Sequence, residues 1–168
     1  IAEFIYGYFK NLPYFQEHPE YLCTIPLKND PLQRKNLFAL LRGTAGDYKD
    51  TILFHGHIDT VGVEDFGHFK EYAFDCDKLL DAMLASNDIP EVLRKDIETG
   101  DYLVGRGSCD MKSGDAVFMV LIKYLSQNPD KLKGNILVSF NPVEENQHTG
   151  IIEGLDHLLA LQKKYDLQ

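Results

Sequence analysis

Leu53-Phe54-His55-Gly56-His57-Ile58-Asp59-Thr60-Val61 is the stretch on which the reading of this chain turns. It reads as an apolar strand whose end presents an imidazole, His57, and a carboxylate, Asp59, two positions apart. Side chains two apart on extended backbone share a face. A neutral imidazole and a carboxylate on one face are the components of a zinc-type site or of its immediate support. His-x-Asp alone is a weak signal. Its weight comes from two further acidic signatures downstream.

Working outward, Thr51 to Phe54 reads as a buried strand, and Gly134 to Phe140 as another. Between them, Lys112 to Asn128 carries the stripe Val117, Val120, Leu121, Tyr124 and Leu125, widened by Phe118 and Ile122. That spacing predicts a largely buried helix ending at Asn128-Pro129. Ile151 to Tyr165 reads as an amphipathic helix. Upstream, Ile1 to Leu12 keeps helical spacing until Pro13, and Leu22 to Leu27 and Asn36 to Leu41 are strand candidates. Asp75 or Asp77 is positioned to cap a helix through Leu84, Pro90 to open another, and Asp101 to Val104 to form a brief strand. Alternating strands and helices in the second half indicate an α/β class, a three-layer α/β/α arrangement around a largely parallel mixed sheet. Without repeats, low-complexity tracts or linkers, residues 1–168 read as a single domain.

Composition narrows the function. The 168 residues have a hydrophobic fraction of 44% and a charged fraction of 26%, close to soluble globular averages. No apolar run approaches the ~20 residues of a membrane helix. A formal net charge of −9 argues against nucleic-acid and anionic-membrane partners. Cys23, Cys76 and Cys109 are odd in number and widely spaced, so a disulfide framework is not expected and a reducing cytoplasm is. The start at Ile1, inside or just before a helix with no cap, reads as a fragment of a longer chain.

Three signatures fall at the C-terminal ends of expected strands, where open α/β sheets bind ligands. They are His57/Asp59, Asp110 and the pair Glu144-Glu145. Asp110 sits in Gly105-Arg106-Gly107-Ser108-Cys109-Asp110-Met111-Lys112-Ser113-Gly114. There, glycines allow positive φ and close approach to an ion, although Asp110 as a helix cap is an equally permitted reading. Adjacent glutamates on irregular backbone diverge, so one can ligate a metal while the other accepts a proton. Each signature alone is more often a cap or a solvated loop; the ordered triple is not.

His57-x-Asp59, Gly-Arg-Gly-x-x-Asp110-Met-Lys-x-Gly and Glu144-Glu145, in this order, resemble the M20 family of zinc metallopeptidases and amidohydrolases. The wording His-Ile-Asp-Thr-Val-Gly-Val-Glu-Asp-Phe, with Leu12-Pro13-Tyr14-Phe15 upstream, resembles that family's bacterial arginine-utilisation branch. The resemblance implies a hydrolase acting on an amide bond of a small peptide or N-acyl amino acid. It implies His57 and Glu145 as ligands of separate metals, Asp110 as the ligand bridging them, Glu144 as general base, and Asp59 as the group that orients His57. It further implies a cis peptide bond after Asp110, two Zn²⁺ per complete site (with Co²⁺ or Mn²⁺ as substitutes) and a homodimer of the longer protein. A further acidic ligand, a later histidine and a lid domain have no counterpart in these residues. The chain by itself is therefore expected to bind metal weakly and to be inactive. A non-catalytic member that keeps the fold for binding or assembly is the alternative.

Smaller expectations complete the reading. His55 is taken to face away from His57, His148 to be exposed, His157 to lie on the surface. Arg106 and Lys112 are taken to meet a substrate carboxylate or solvent.

Overall fold

The computed structural model describes residues 1–46 and 49–168. In chain order the regular elements are α1 (Ala2–Lys10), α2 (Pro13–Glu17), β1 (Leu22–Pro26), β2 (Lys35–Arg42), β3 (Thr51–His57), α3 (Cys76–Ala85), α4 (Glu91–Glu98), α5 (Ser113–Ser126), β4 (Asn135–Asn141), α6 (Glu144–Gln147) and α7 (Thr149–Tyr165). They divide into two compact units, Ile1–Asp59 with Gly114–Gln168, and Thr60–Ser113.

The first unit is built on a mixed sheet in the order β1-β2-β4-β3. Period-two alternation along β2 sorts its side chains onto two faces. Leu37, Ala39 and Leu41 join Ile136, Val138 and Phe140 of β4 in a core with Ile5 and Phe9 of α1, Phe15 of α2 and Ile122 of α5. Phe38, Leu40 and Leu137 point the other way, against Leu161 of α7 and Leu167. Helices thus cover both faces, as the α/β reading requires. The Phe9 ring anchors the first core, with centroids 5.7 Å from Phe15 and 6.1 Å from Phe140. Burying each such ring contributes about 1.5–3 kcal/mol.

The expectation of a largely parallel sheet needs correcting. Among the strand pairs of the described residues, β3 with β4 is parallel, whereas β1 with β2 and β2 with β4 are antiparallel. The cause is local. Alternation of strand and helix begins only at β3, whereas β1 and β2 are joined by a short connection with no crossover helix, which forces an antiparallel pair. Thr51 to Phe54 is also less buried than expected: Ile52 is 60% and Leu53 49% exposed. The reason is position, since β3 lies at the edge of the sheet. At its start the free edge already carries one bridge in the parallel sense, with the Gln168 amide donating to the Lys49 carbonyl (2.9 Å) and the Thr51 amide to the Gln168 carbonyl (2.7 Å). On α5, Val117, Val120 and Tyr124 are exposed, so only part of its wide stripe faces the core.

In the second unit, the Asp75 side chain accepts from the Lys78 amide at 3.1 Å and caps α3. Arg94 of α4 donates to the carbonyls of Leu84 and Ser86, closing the end of α3. Residues 101–104 form no strand; Tyr102 and Leu103 are exposed on irregular backbone. No second strand of this unit is present among the described residues to pair with them. Arg106 pairs with Asp65, with its guanidinium 4.9 Å from the Phe66 ring centroid.

No helix among the described residues is long and apolar enough to cross a membrane.

Candidate metal centre

β3 and β4 run parallel and end level with one another, His57 opposite Asn141. The segments leaving the two strands therefore emerge at the same end of the sheet, where the parallel C-termini lie together. His57 is buried at the last residue of β3. After β4 the chain passes through Pro142 and Val143 into the four-residue helix α6, whose first two residues are Glu144 and Glu145.

Two left-handed residues bracket α6, Val143 at φ 67° and His148 at φ 54°. A β-branched residue rarely adopts this conformation, and doing so costs on the order of 1–3 kcal/mol. Packing holds it there: Val143 is buried. The turn swings the chain so that the amides of both glutamates face Asp59. One carboxylate oxygen of Asp59 accepts from the Glu144 amide at 3.1 Å, and the other from the Glu145 amide at 3.2 Å. Bonds from backbone amides to a carboxylate are charge-assisted and stronger than neutral ones.

Asp59 thus has a duty that its expected role did not include. It lies 3.7 Å from His57 Nδ1, beyond hydrogen-bond length, so its direct bonds go to the glutamate segment. Within this unit a ring nitrogen of His57 and a carboxylate oxygen of Glu145 lie within 4.8 Å of one another. An imidazole and a carboxylate at that separation suit a divalent cation of the zinc type. Glu144 is half-buried, and its Oε1 lies 3.5 Å from Nδ1 of the exposed His148.

Asp110 belongs to the second unit. It follows Gly107, whose φ of 82° and crowded surroundings require glycine: a Cβ there would lie 2.8 Å from both Lys112 Nζ and Thr60 Cγ2. The Asp110–Met111 peptide is cis, as the resemblance implied, and the Asp110 carboxylate is exposed.

Sequence reasoning missed a group behind the site. His55 does not face away from His57; two positions apart on a strand, they share a face. The half-buried His55 ring lies on that face, and burial pushes its pKa down, partly opposed by the Asn141 side chain. Asn141, Ser139 and Asn36 are buried on the same face, and all three side chains are hydrogen-bonded. The available signal was Asn36 in β2, and Ser139 and Asn141 in β4, polar residues at inward positions of strands that are otherwise mostly apolar.

The model of Peptidase family M20/M25/M40 matches residues 53–167. Over 166 residues the chain is 40% identical to Protein RocB of Bacillus subtilis (strain 168), covering 99% of the chain and 29% of that protein. It is 34% identical over 168 residues to Uncharacterized protein YqjN of the same organism, again covering 99% and 29%. The chain spans under a third of the length of these relatives, and within that span lie the strand ends, the glutamate pair and the cis bond described above. It belongs to peptidase family M20/M25/M40.

Proposed function

We propose that the longer protein to which these residues contribute hydrolyses an amide bond in a small peptide or N-acyl amino acid, with His57, Asp110 and Glu145 as metal ligands. The observation that carries this reading is the seating of the Glu144-Glu145 pair by Asp59 beside a buried His57. Zn²⁺ is the metal that best suits imidazole with carboxylate, and Co²⁺ or Mn²⁺ can take its place. A bound divalent cation supplies polarisation of the scissile carbonyl and makes water acidic enough to be deprotonated near neutral pH.

The residues of the chain do the rest. Glu144 takes a proton from the attacking water, whose oxygen bonds to the carbonyl carbon. As the carbon–nitrogen bond breaks, Glu144 returns that proton to the leaving amine, giving a carboxylic acid and an amine. Asp59 holds the backbone of both glutamates, so Glu144 keeps its aim while Glu145 remains a ligand. An arginine-related acyl compound is the favoured substrate on the resemblance to the arginine-utilisation branch. The 168-residue chain alone is expected to bind zinc weakly and to turn over little.

The test is the full-length protein with its Glu144→Gln variant, assayed for bound zinc and for hydrolysis of a panel of N-acyl amino acids. Loss of turnover by about 10²–10⁴-fold with zinc retained is expected for a general base. An intact protein that binds no divalent metal refutes the reading.

A further inference from the structure

The glutamate segment is anchored from beneath by one buried amide. Asn36, fully buried near the start of β2, donates from Nδ2 to the Gly150 carbonyl at 2.7 Å. Its Oδ1 accepts from Asn141 Nδ2 at 2.8 Å, and Asn141 Oδ1 accepts from the Ser139 hydroxyl at 2.7 Å. These orientations are forced. A carbonyl only accepts, so Asn36 must turn its NH₂ towards Gly150; its oxygen is left to accept, so Asn141 must present NH₂ in turn.

Asn141 is the last residue of β4, and Gly150 is the second residue of α7. They flank the segment that carries Glu144 and Glu145, and both are tied to the same side chain. The base of the segment is closed as well: a Cβ on Gly150 would lie 2.1 Å from the Pro142 carbonyl oxygen. Asn141 also stands opposite His57 in the pairing of β3 with β4. One amide side chain in an apolar core therefore registers the glutamate segment against the strand that carries the histidine.

We propose that Asn36 is a positioning residue for Glu144 and Glu145: it touches neither substrate nor metal, yet fixes where the two carboxylates stand relative to His57. The proposal rests on the reading of Glu145 as ligand and Glu144 as base. A core of apolar side chains gains nothing from an amide at this position; burying one is costly unless every polar atom is matched, and here both are. Outer partners that orient ligands are worth about 10–100-fold in metal affinity.

The experiment compares the full-length protein with Asn36→Leu, which keeps size but has no donor or acceptor, with Glu145→Gln, and with Leu40→Ala, a cavity further along the same α7-side core that leaves the amide itself untouched. Zinc titration and amide hydrogen exchange across residues 142–150 are read for each, alongside thermal unfolding. Asn36→Leu should weaken zinc binding about tenfold or more and speed exchange at the Glu144 and Glu145 amides. Leu40→Ala should lower the unfolding temperature without either effect. Zinc affinity and exchange at 142–150 that match the wild type, or that merely follow overall stability as in Leu40→Ala, overturn the proposal. If Glu145→Gln binds zinc as tightly as the wild type, the ligand reading fails instead. In that case local exchange in Asn36→Leu still decides whether the amide holds the segment.

Discussion

Cys23 and His157, on β1 and α7, form a pair remote from the candidate site, with Sγ and Nε2 3.2 Å apart. Burial pushes the thiol up and the imidazole down, so each is held neutral at physiological pH. Both shifts tie stability to pH. Below about 6.5, the ordinary histidine value, the unfolded chain takes a proton that folded His157 resists, so stability falls as pH drops through this region. Above about 9.0, the ordinary thiol value, the unfolded thiol ionises first, and stability falls as pH rises. Urea unfolding across pH should show a plateau between these limits, and His157→Gln should remove part of the acid-side slope. An unchanged acid limb in that variant would place the proton uptake elsewhere. At this scale the sequence is readable where chemistry is concentrated in short motifs. His57, Asp59 and the glutamate pair are all marked by type and spacing. His157 reads as a surface residue because nothing in its own helix reveals the Phe38 ring, whose centroid lies 4.7 Å away. Asp59 is recognisable, but its bonds to the two glutamate amides depend on a left-handed Val143 that no propensity would suggest.

Elements are legible to the extent that their partners are local. The helices α1, α5 and α7 and all four strands follow hydrophobic periodicity, and Asp75 caps α3 as its position indicates. The strand expected at 101–104 fails because a strand exists only with a neighbour. Pairing sense is likewise out of reach, since it is set by which strands become adjacent rather than by either sequence. The junction of β4, α6 and α7 shows how tightly such elements can interlock. Gly150 admits the Pro142 carbonyl where any side chain would stand, so Gly150→Ala cannot be absorbed by a rotamer change. Overpacking of this kind costs about 1–3 kcal/mol, and with backbone as the obstacle the upper part of that range is expected. Thermal unfolding measures it; a variant as stable as the wild type would mean that α7 shifts freely on the sheet.

For the molecule as a whole, the alternation of strands and helices in its second half places it in the α/β class, and the ordered motifs place it in its family. The exposed apolar surface is not foreseeable in the same way. Part of it lies on β3, at Ile52 and Leu53, and part on α5, at Val117, Val120 and Tyr124. An uncovered edge strand with apolar side chains is a template for pairing with another chain. The 168-residue chain in isolation should therefore self-associate as its concentration rises, and a Leu53→Lys substitution should suppress this. Sedimentation velocity over a concentration series checks it, and a monomer at all concentrations would show that the edge is protected. The bridge at Gln168 gives that edge a direction as well as an appetite. A strand added in the sense already begun runs beside β3 towards its C-terminal end, advancing about 3.3 Å per residue, and finishes where His57 stands. A strand pairing there in that sense is delivered, by the polarity of two backbone hydrogen bonds, to the doorstep of the candidate metal centre.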